Sequence, residues 1–127
     1  MNFDQTPEFS KELKKFSKKW RSLPSDIIVL QDVLSTLYKG ANGLSAKHIR
    51  ESFFNTKRGT VLQIISDKCE VVKVRVDCID LNKDMLRVTF INFKDTIIFI
   101  ELYAKKDKAR EDNNRIQKYL KIVMQSE

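Results

Sequence analysis

From Pro7 to Leu37 the apolar positions recur at helical spacing. Phe9, Leu13, Phe16, Trp20 and Leu23 follow one another at intervals of four, three, four and three, while Lys11, Lys14, Lys15, Lys18 and Arg21 occupy the other sides. This predicts an amphipathic helix with a basic outer face, opened by Thr6 as cap and Pro7 at the first helical position. Leu23-Pro24 ends it, because a residue before proline is biased away from helical angles. A second helix, capped by Ser25-Asp26, carries Ile27, Leu30, Leu34 and Leu37 as far as Gly40. The short break between the two predicts an antiparallel helical hairpin.

After Glu70 the period changes to two. Val72, Val74, Val76 and Cys78 alternate with Lys73, Arg75 and Asp77, and Leu86, Val88 and Phe90 alternate with Arg87 and Thr89, the signature of half-buried strands. Asp80-Leu81-Asn82-Lys83-Asp84 reads as the hairpin loop between them, and Asn92-Phe93-Lys94-Asp95 as the next loop. Ile97-Ile98-Phe99-Ile100 is apolar at both parities, as in a strand covered on both faces, before Glu101 and Tyr103 restore polarity on one side. Ile116, Tyr119, Leu120 and Val123 return to helical spacing. Met1 to Gln5 is expected to form a short edge strand. Residues 41–70 read as a connector, with a helical turn at Ser45 to Arg50 and a short strand at Val61 to Ile65. The expected architecture is α+β over residues 1–127. A helical hairpin packs on one face of a three- to four-stranded antiparallel sheet, and a C-terminal helix follows. The sheet should have one apolar face and one cationic face.

Composition narrows the setting. Forty-two per cent hydrophobic residues, three glycines and two prolines describe a packed domain and exclude a disordered tail. Twenty-four Lys and Arg against 17 Asp and Glu leave a formal charge of +7, which favours an anionic partner: nucleic acid, an acidic protein or a membrane surface. The N-terminal residues are too polar for a signal peptide and no run approaches a membrane span, so a cytoplasmic protein is expected. Cys69 and Cys78 form no CxxC pair, and the single histidine, His48, reads as a surface residue of the connector. No metal or other cofactor is expected.

Four stretches together resemble the RelE/ParE superfamily of toxins from bacterial and archaeal toxin-antitoxin pairs. They are Phe9-Ser10-Lys11-Glu12-Leu13-Lys14-Lys15-Phe16, Val72-Lys73-Val74-Arg75-Val76, Leu86-Arg87-Val88 and Phe99-Ile100-Glu101-Leu102-Tyr103-Ala104-Lys105-Lys106-Asp107. The resemblance implies a small sheet backed by a helical hairpin, with the active site on the opposite face. RelE-type members cut mRNA in the ribosomal decoding site; ParE-type members poison DNA gyrase on the same fold. A cognate antitoxin would silence the protein by covering the basic face or displacing the last helix. Carried onto this chain, the resemblance gives Lys73 and Arg75 phosphate contact and proton abstraction, and gives Arg87 the transition-state phosphate. Lys106 or its neighbour Lys105 would assist the leaving oxygen. The C-terminal tyrosine that stacks on a base in RelE-type sites is absent: Asp112 or a near neighbour stands at its place, and Tyr119 lies farther along the last helix.

RNA cleavage by the neighbouring 2′-hydroxyl needs a base for that hydroxyl, positive charge for the phosphorane and an acid for the leaving oxygen. Lys73, beside two arginines, is the first candidate base, since neighbouring like charge disfavours the charged form. Glu101 is the second. Tyr103 is placed to donate a proton or stack on a base, and Lys105 and Lys108 to bind substrate. Structural roles compete with these: Glu101 as a cross-strand partner of Arg75 or Arg87, Tyr103 as an amphipathic cover residue, and the basic face of the first helix as a solvated surface. Three readings follow: a ribosome-associated mRNA endoribonuclease toxin, a non-enzymatic gyrase-binding toxin, and a non-toxic nucleic-acid or protein binding module.

Overall fold

In a computed structural model, residues 1–40, 43, 45–81 and 86–125 are described. The chain runs β1 (Asn2–Gln5), α1 (Pro7–Lys19), α2 (Leu23–Lys39), α3 (Ala46–Asn55), β2 (Gly59–Ser66), β3 (Cys69–Val76), β4 (Leu86–Phe93), β5 (Thr96–Ala104) and α4 (Asn113–Gln125). Asn82 to Met85, most of the predicted loop between β3 and β4, lies outside the described residues.

The α+β class holds, but the sheet is larger than expected and is mixed. Its order is β1-β5-β4-β3-β2, with β2 to β5 an antiparallel meander and β1 parallel to β5. The parallel pair arises because three helices separate β1 from the meander, so the chain returns before β5 is laid beside it in the same direction. Residues 41–70 are more than a connector: they hold α3 and the eight-residue edge strand β2. Their signal is weak for physical reasons. β2 shifts register between Val61 and Gln63 and again between Ile64 and Ser66, which breaks the period of two, and α3 buries no residue fully.

The covering layer is correspondingly three helices rather than a two-helix hairpin. Arg50 of α3 makes a bidentate pair with Glu70 of β3 at 2.8 and 2.7 Å, and Tyr38 of α2 donates to the same carboxylate at 3.0 Å, tying α2, α3 and the sheet together. Burial and the Glu70 carboxylate both push the Tyr38 phenol well above its usual range. Thr6 caps α1 as predicted, its hydroxyl accepting from Phe9 N–H at 3.2 Å. Pro24 does not separate the helices. It sits in the first turn of α2, where the N–H it lacks has no helical partner to lose, and Trp20 caps α1 instead.

Beneath α1 to α3 lies the larger core. Val72, Val74, Val76, Leu86, Val88, Phe90, Phe99 and Leu102 meet Phe9, Trp20, Leu23, Leu30, Leu34 and Leu37. Trp20 stacks on Phe16 and Cys78 joins the same cluster. The opposite face is not uniformly cationic. Cys69, Val71, Ile91 and Ile100 form a second apolar patch there, covered by Ile116 and Leu120 of α4. The basic residues are therefore confined to the other end of that face.

Polar contacts fasten α4 to α1. Arg115 makes a bidentate pair with Glu12 at 2.9 and 3.1 Å and also donates to the Ile100 carbonyl, while Tyr119 donates to Glu8. The Tyr119 hydrogen bond is the main cause that holds the Glu8 carboxyl below its ordinary 4.5. A depressed carboxyl stabilises the fold fully above its ordinary value, and this is lost as pH falls through the lower folded value. Protection of the α4 amides, relative to their intrinsic exchange rate, is thus expected to fall below about pH 4.5, and Tyr119→Phe should shrink that acid-dependent component. An unchanged acid profile in Tyr119→Phe would remove Glu8 as its source.

No helix among the described residues is long and apolar enough to cross a membrane.

Candidate functional site

Register brings the predicted basic residues together. Lys73 of β3 faces Thr89 of β4, and Arg75 faces Arg87, so the three cations share the sheet face left uncovered by α1 to α3. In β5 the pairing passes from Phe90 with Phe99 to Thr89 with Glu101, leaving Ile100 as an extra residue. This bulge turns Ile100 and Glu101 to the same face, and thereby aligns Glu101 and Tyr103 with Thr89 and Arg87. The two rows across the sheet are Lys73-Thr89-Glu101 and Arg75-Arg87-Tyr103.

The second row forms the floor of an open cleft of about 460 Å³. Its walls come from Lys57, Arg58, Gly59 and Thr60 at the start of β2, from Lys73, and from Lys105 and Ala109 in the strap that follows β5. Among the described lining residues six are basic and none is acidic. Arg75 and Arg87 stand directly opposite on neighbouring strands, where like charges oppose pairing. A concave surface of this sign attracts a polyanion and concentrates it. At Gly59 a side chain would come within 2.6 Å of the Phe53 ring, so the strand can pass over α3 only without a Cβ. Next to it Lys57 adopts φ 60°, a left-handed conformation uncommon outside glycine.

The predicted site residues divide. Lys73, Arg75, Arg87, Tyr103 and Lys105 line the cleft; Lys106 is exposed and stands outside it. Tyr103 is 5% exposed, and its phenol is pushed up to about 12 by burial, then by the nearby Glu111 and Glu101 carboxylates. It stays protonated at neutral pH. Glu101 is 1% exposed, with one oxygen taken by Lys108 and the other by the Asp112 backbone N–H at 2.7 Å. The role visible for Glu101 is to anchor the strap. Lys108 is its ion partner and lies 5.8 Å from the Tyr103 ring centroid. Asp112, standing where a stacking tyrosine was sought, caps α4 by accepting from Arg115 N–H at 3.1 Å. His48 is exposed on α3, as expected.

Sequence reasoning missed Lys57, Arg58 and Thr60, which fell in the supposed connector, and it missed Glu111. The Glu111 carboxylate accepts from Lys73 Nζ at 3.0 Å across 38 residues of chain. The signal that was available was Lys57-Arg58-Gly59, two cations before the glycine that opens a strand. Among the described residues no group of three or more His, Cys, Asp or Glu is arranged to hold a metal ion.

Comparison with protein-family models, with curated proteins and with solved structures finds no match.

Proposed function

We propose that this protein is a RelE-like toxin of a type II toxin-antitoxin pair, an endoribonuclease that cuts mRNA on the ribosome and so halts translation in the cytoplasm. The observation that carries the reading is the cleft whose described lining residues include six basic ones and no acidic one, lying on the sheet face opposite α1 to α3, where the sequence resemblance calls for the active site. Single-stranded RNA suits it, because a phosphate backbone answers the charge and a splayed base can meet Tyr103.

In this reading Arg75 and Arg87 hold the charge of the phosphorane, worth most where water is partly excluded. The 2′-oxygen attacks phosphorus, giving up its proton to solvent, and the bond to the 5′-oxygen breaks, while the Lys73 ammonium holds a phosphate oxygen. Lys105, which lines the cleft where Lys106 does not, returns a proton to that leaving oxygen. The products are a 2′,3′-cyclic phosphate and a 5′-hydroxyl. Glu101, held by Lys108 and Asp112, takes no part in the proton transfers. The cognate antitoxin would be an acidic protein placed next to this cleft.

Purified protein added to a translating extract is expected to cut ribosome-bound mRNA, leaving 2′,3′-cyclic phosphate ends, and to leave naked RNA largely intact. Inhibition of gyrase supercoiling with intact mRNA would replace this reading by the ParE-type one. Salt-sensitive RNA binding with neither effect would reduce the protein to a binding module.

A further inference from the structure

The strap between β5 and α4 lies on the cationic side of the sheet. It is pinned over β5, where Glu101 takes Lys108 and the Asp112 N–H, and it reaches β3 through Glu111 and Lys73. Thr89, the register partner of both Lys73 and Glu101, lies between these anchor points. Its hydroxyl is fully buried and has no hydrogen-bond partner among the described residues. Strand spacing puts Lys73 and Glu101 about 10 Å apart, so the strap bridges a gap of two strands.

Glu111 differs from its neighbours in what it does for the fold. Lys108 and Asp112 hold the strap to Glu101, and Asp112 also caps α4, so the strap backbone is fixed on both sides of position 111 without help from that side chain. The Glu111 carboxylate bonds to Lys73 alone among the described residues, and the pair is not sealed: the side chains are 15% and 25% exposed. Its charge also reaches Tyr103 on the cleft floor. A carboxylate oxygen at 3.0 Å from a lysine ammonium stands where a phosphate oxygen would stand.

We infer that Lys73 is one phosphate subsite of the cleft, that Glu111 occupies it in the resting protein as a stand-in for RNA, and that bound RNA displaces Glu111 by rotation of its side chain. The inference rests on the reading of the cleft as an RNA site. Displacement leaves the strap in place, brings Lys73 to the nucleic acid, and lengthens the cationic track from the Arg75-Arg87 row towards Thr89. Glu111 thereby sets the affinity of the cleft, and charge-neutral variants raise it.

The test is equilibrium binding of a short single-stranded RNA, 2′-O-methylated throughout so that it resists cleavage, followed by fluorescence anisotropy across a salt series. Glu111→Gln is expected to tighten binding about two- to fivefold, the worth of a partly exposed ion pair. The dependence of log affinity on log salt should steepen by about 0.7, because in the wild type the displaced Glu111 carboxylate takes up a cation that offsets the one released from the phosphate, and in Glu111→Gln it does not. Lys73→Ala should cost more affinity in the Glu111→Gln background than in the wild type, because only there is the ammonium unengaged. Thermal unfolding confirms that each variant is folded. Glu111→Asp, which retains the charge one methylene farther back, gives a smaller gain in the same direction and serves if Glu111→Gln is unstable. Unchanged or weaker binding in Glu111→Gln and Glu111→Asp, with Arg87→Ala still weakening binding, overturns the inference and leaves the RNA reading standing. Absence of RNA binding in the wild type and both Glu111 variants overturns the two together.

Discussion

Cells expressing the Lys73→Ala, Arg87→Ala double variant are expected to grow normally, whereas the wild-type chain arrests growth. Each side chain lines the cleft, and in the proposed reaction each puts a positive charge beside the phosphate that is cut. Removing a single donor aimed at developing transition-state charge typically slows an enzyme about 10²- to 10³-fold, and the loss of two takes cleavage below what a cell would register. The singles should differ. Lys73 is hydrogen-bonded to Glu111, so part of its charge is already answered, while Arg87 lies on the cleft floor beside Tyr103. Arg87→Ala is therefore the more damaging substitution. Lys73→Ala also leaves Glu111 beside the cleft as an unanswered negative charge, which repels RNA. Because Arg87 is 8% exposed, the comparison requires a folded protein, and a cooperative thermal transition is the control. Growth arrest that persists in a folded double variant would move the active site elsewhere.

The largest loss of stability is expected from Phe99→Ala, about 3–5 kcal/mol by chemical denaturation. Phe99 is 1% exposed and is the hub of the aromatic part of the core. It stacks on Phe9 at 5.1 Å and Phe3 at 6.1 Å, and meets Phe90 edge-on at 6.4 Å. Truncation removes its apolar surface and leaves a cavity that α1, β1 and β4 cannot all collapse into. A domain of this size is stable by only about 5–15 kcal/mol, so one substitution takes a large share. Phe99→Leu, which keeps most of the volume, should lose well under half as much. A small effect of Phe99→Ala would mean that the core relaxes around the void.

Legibility in the sequence followed the range of the interactions. β3 and the visible part of β4 alternate cleanly because one set of side chains enters the main core and the other does not, and that pattern placed Lys73, Arg75 and Arg87 on one face. Thr6-Pro7 marked the start of α1 because capping is a local event. β5 looked apolar on both parities for two reasons. α4 covers the second face at Ile100, and a bulge then reverses the alternation before Glu101. β2 and α3 were hard to read because neither buries a continuous stripe. The Glu111 contact had no local signature, since Lys73 lies 38 residues away and only the strap brings the two together. Pro24 misled because a proline before a helix interior and a proline in its first turn are the same letter in the sequence.

The parallel pairing of β1 with β5 bears on when this protein becomes active during its own synthesis. Thr6 donates its hydroxyl hydrogen to the carbonyl of Ile100, 94 residues on, and β5 also supplies Tyr103 and leads into Lys105. At about 5–20 residues per second the first strand waits roughly 5 to 20 seconds for its neighbour. Until β5 leaves the ribosome, neither the sheet nor the cleft is complete. If the protein acts as proposed, a nascent chain is thus harmless to the ribosome making it, and only a copy with its cleft complete can act on the next.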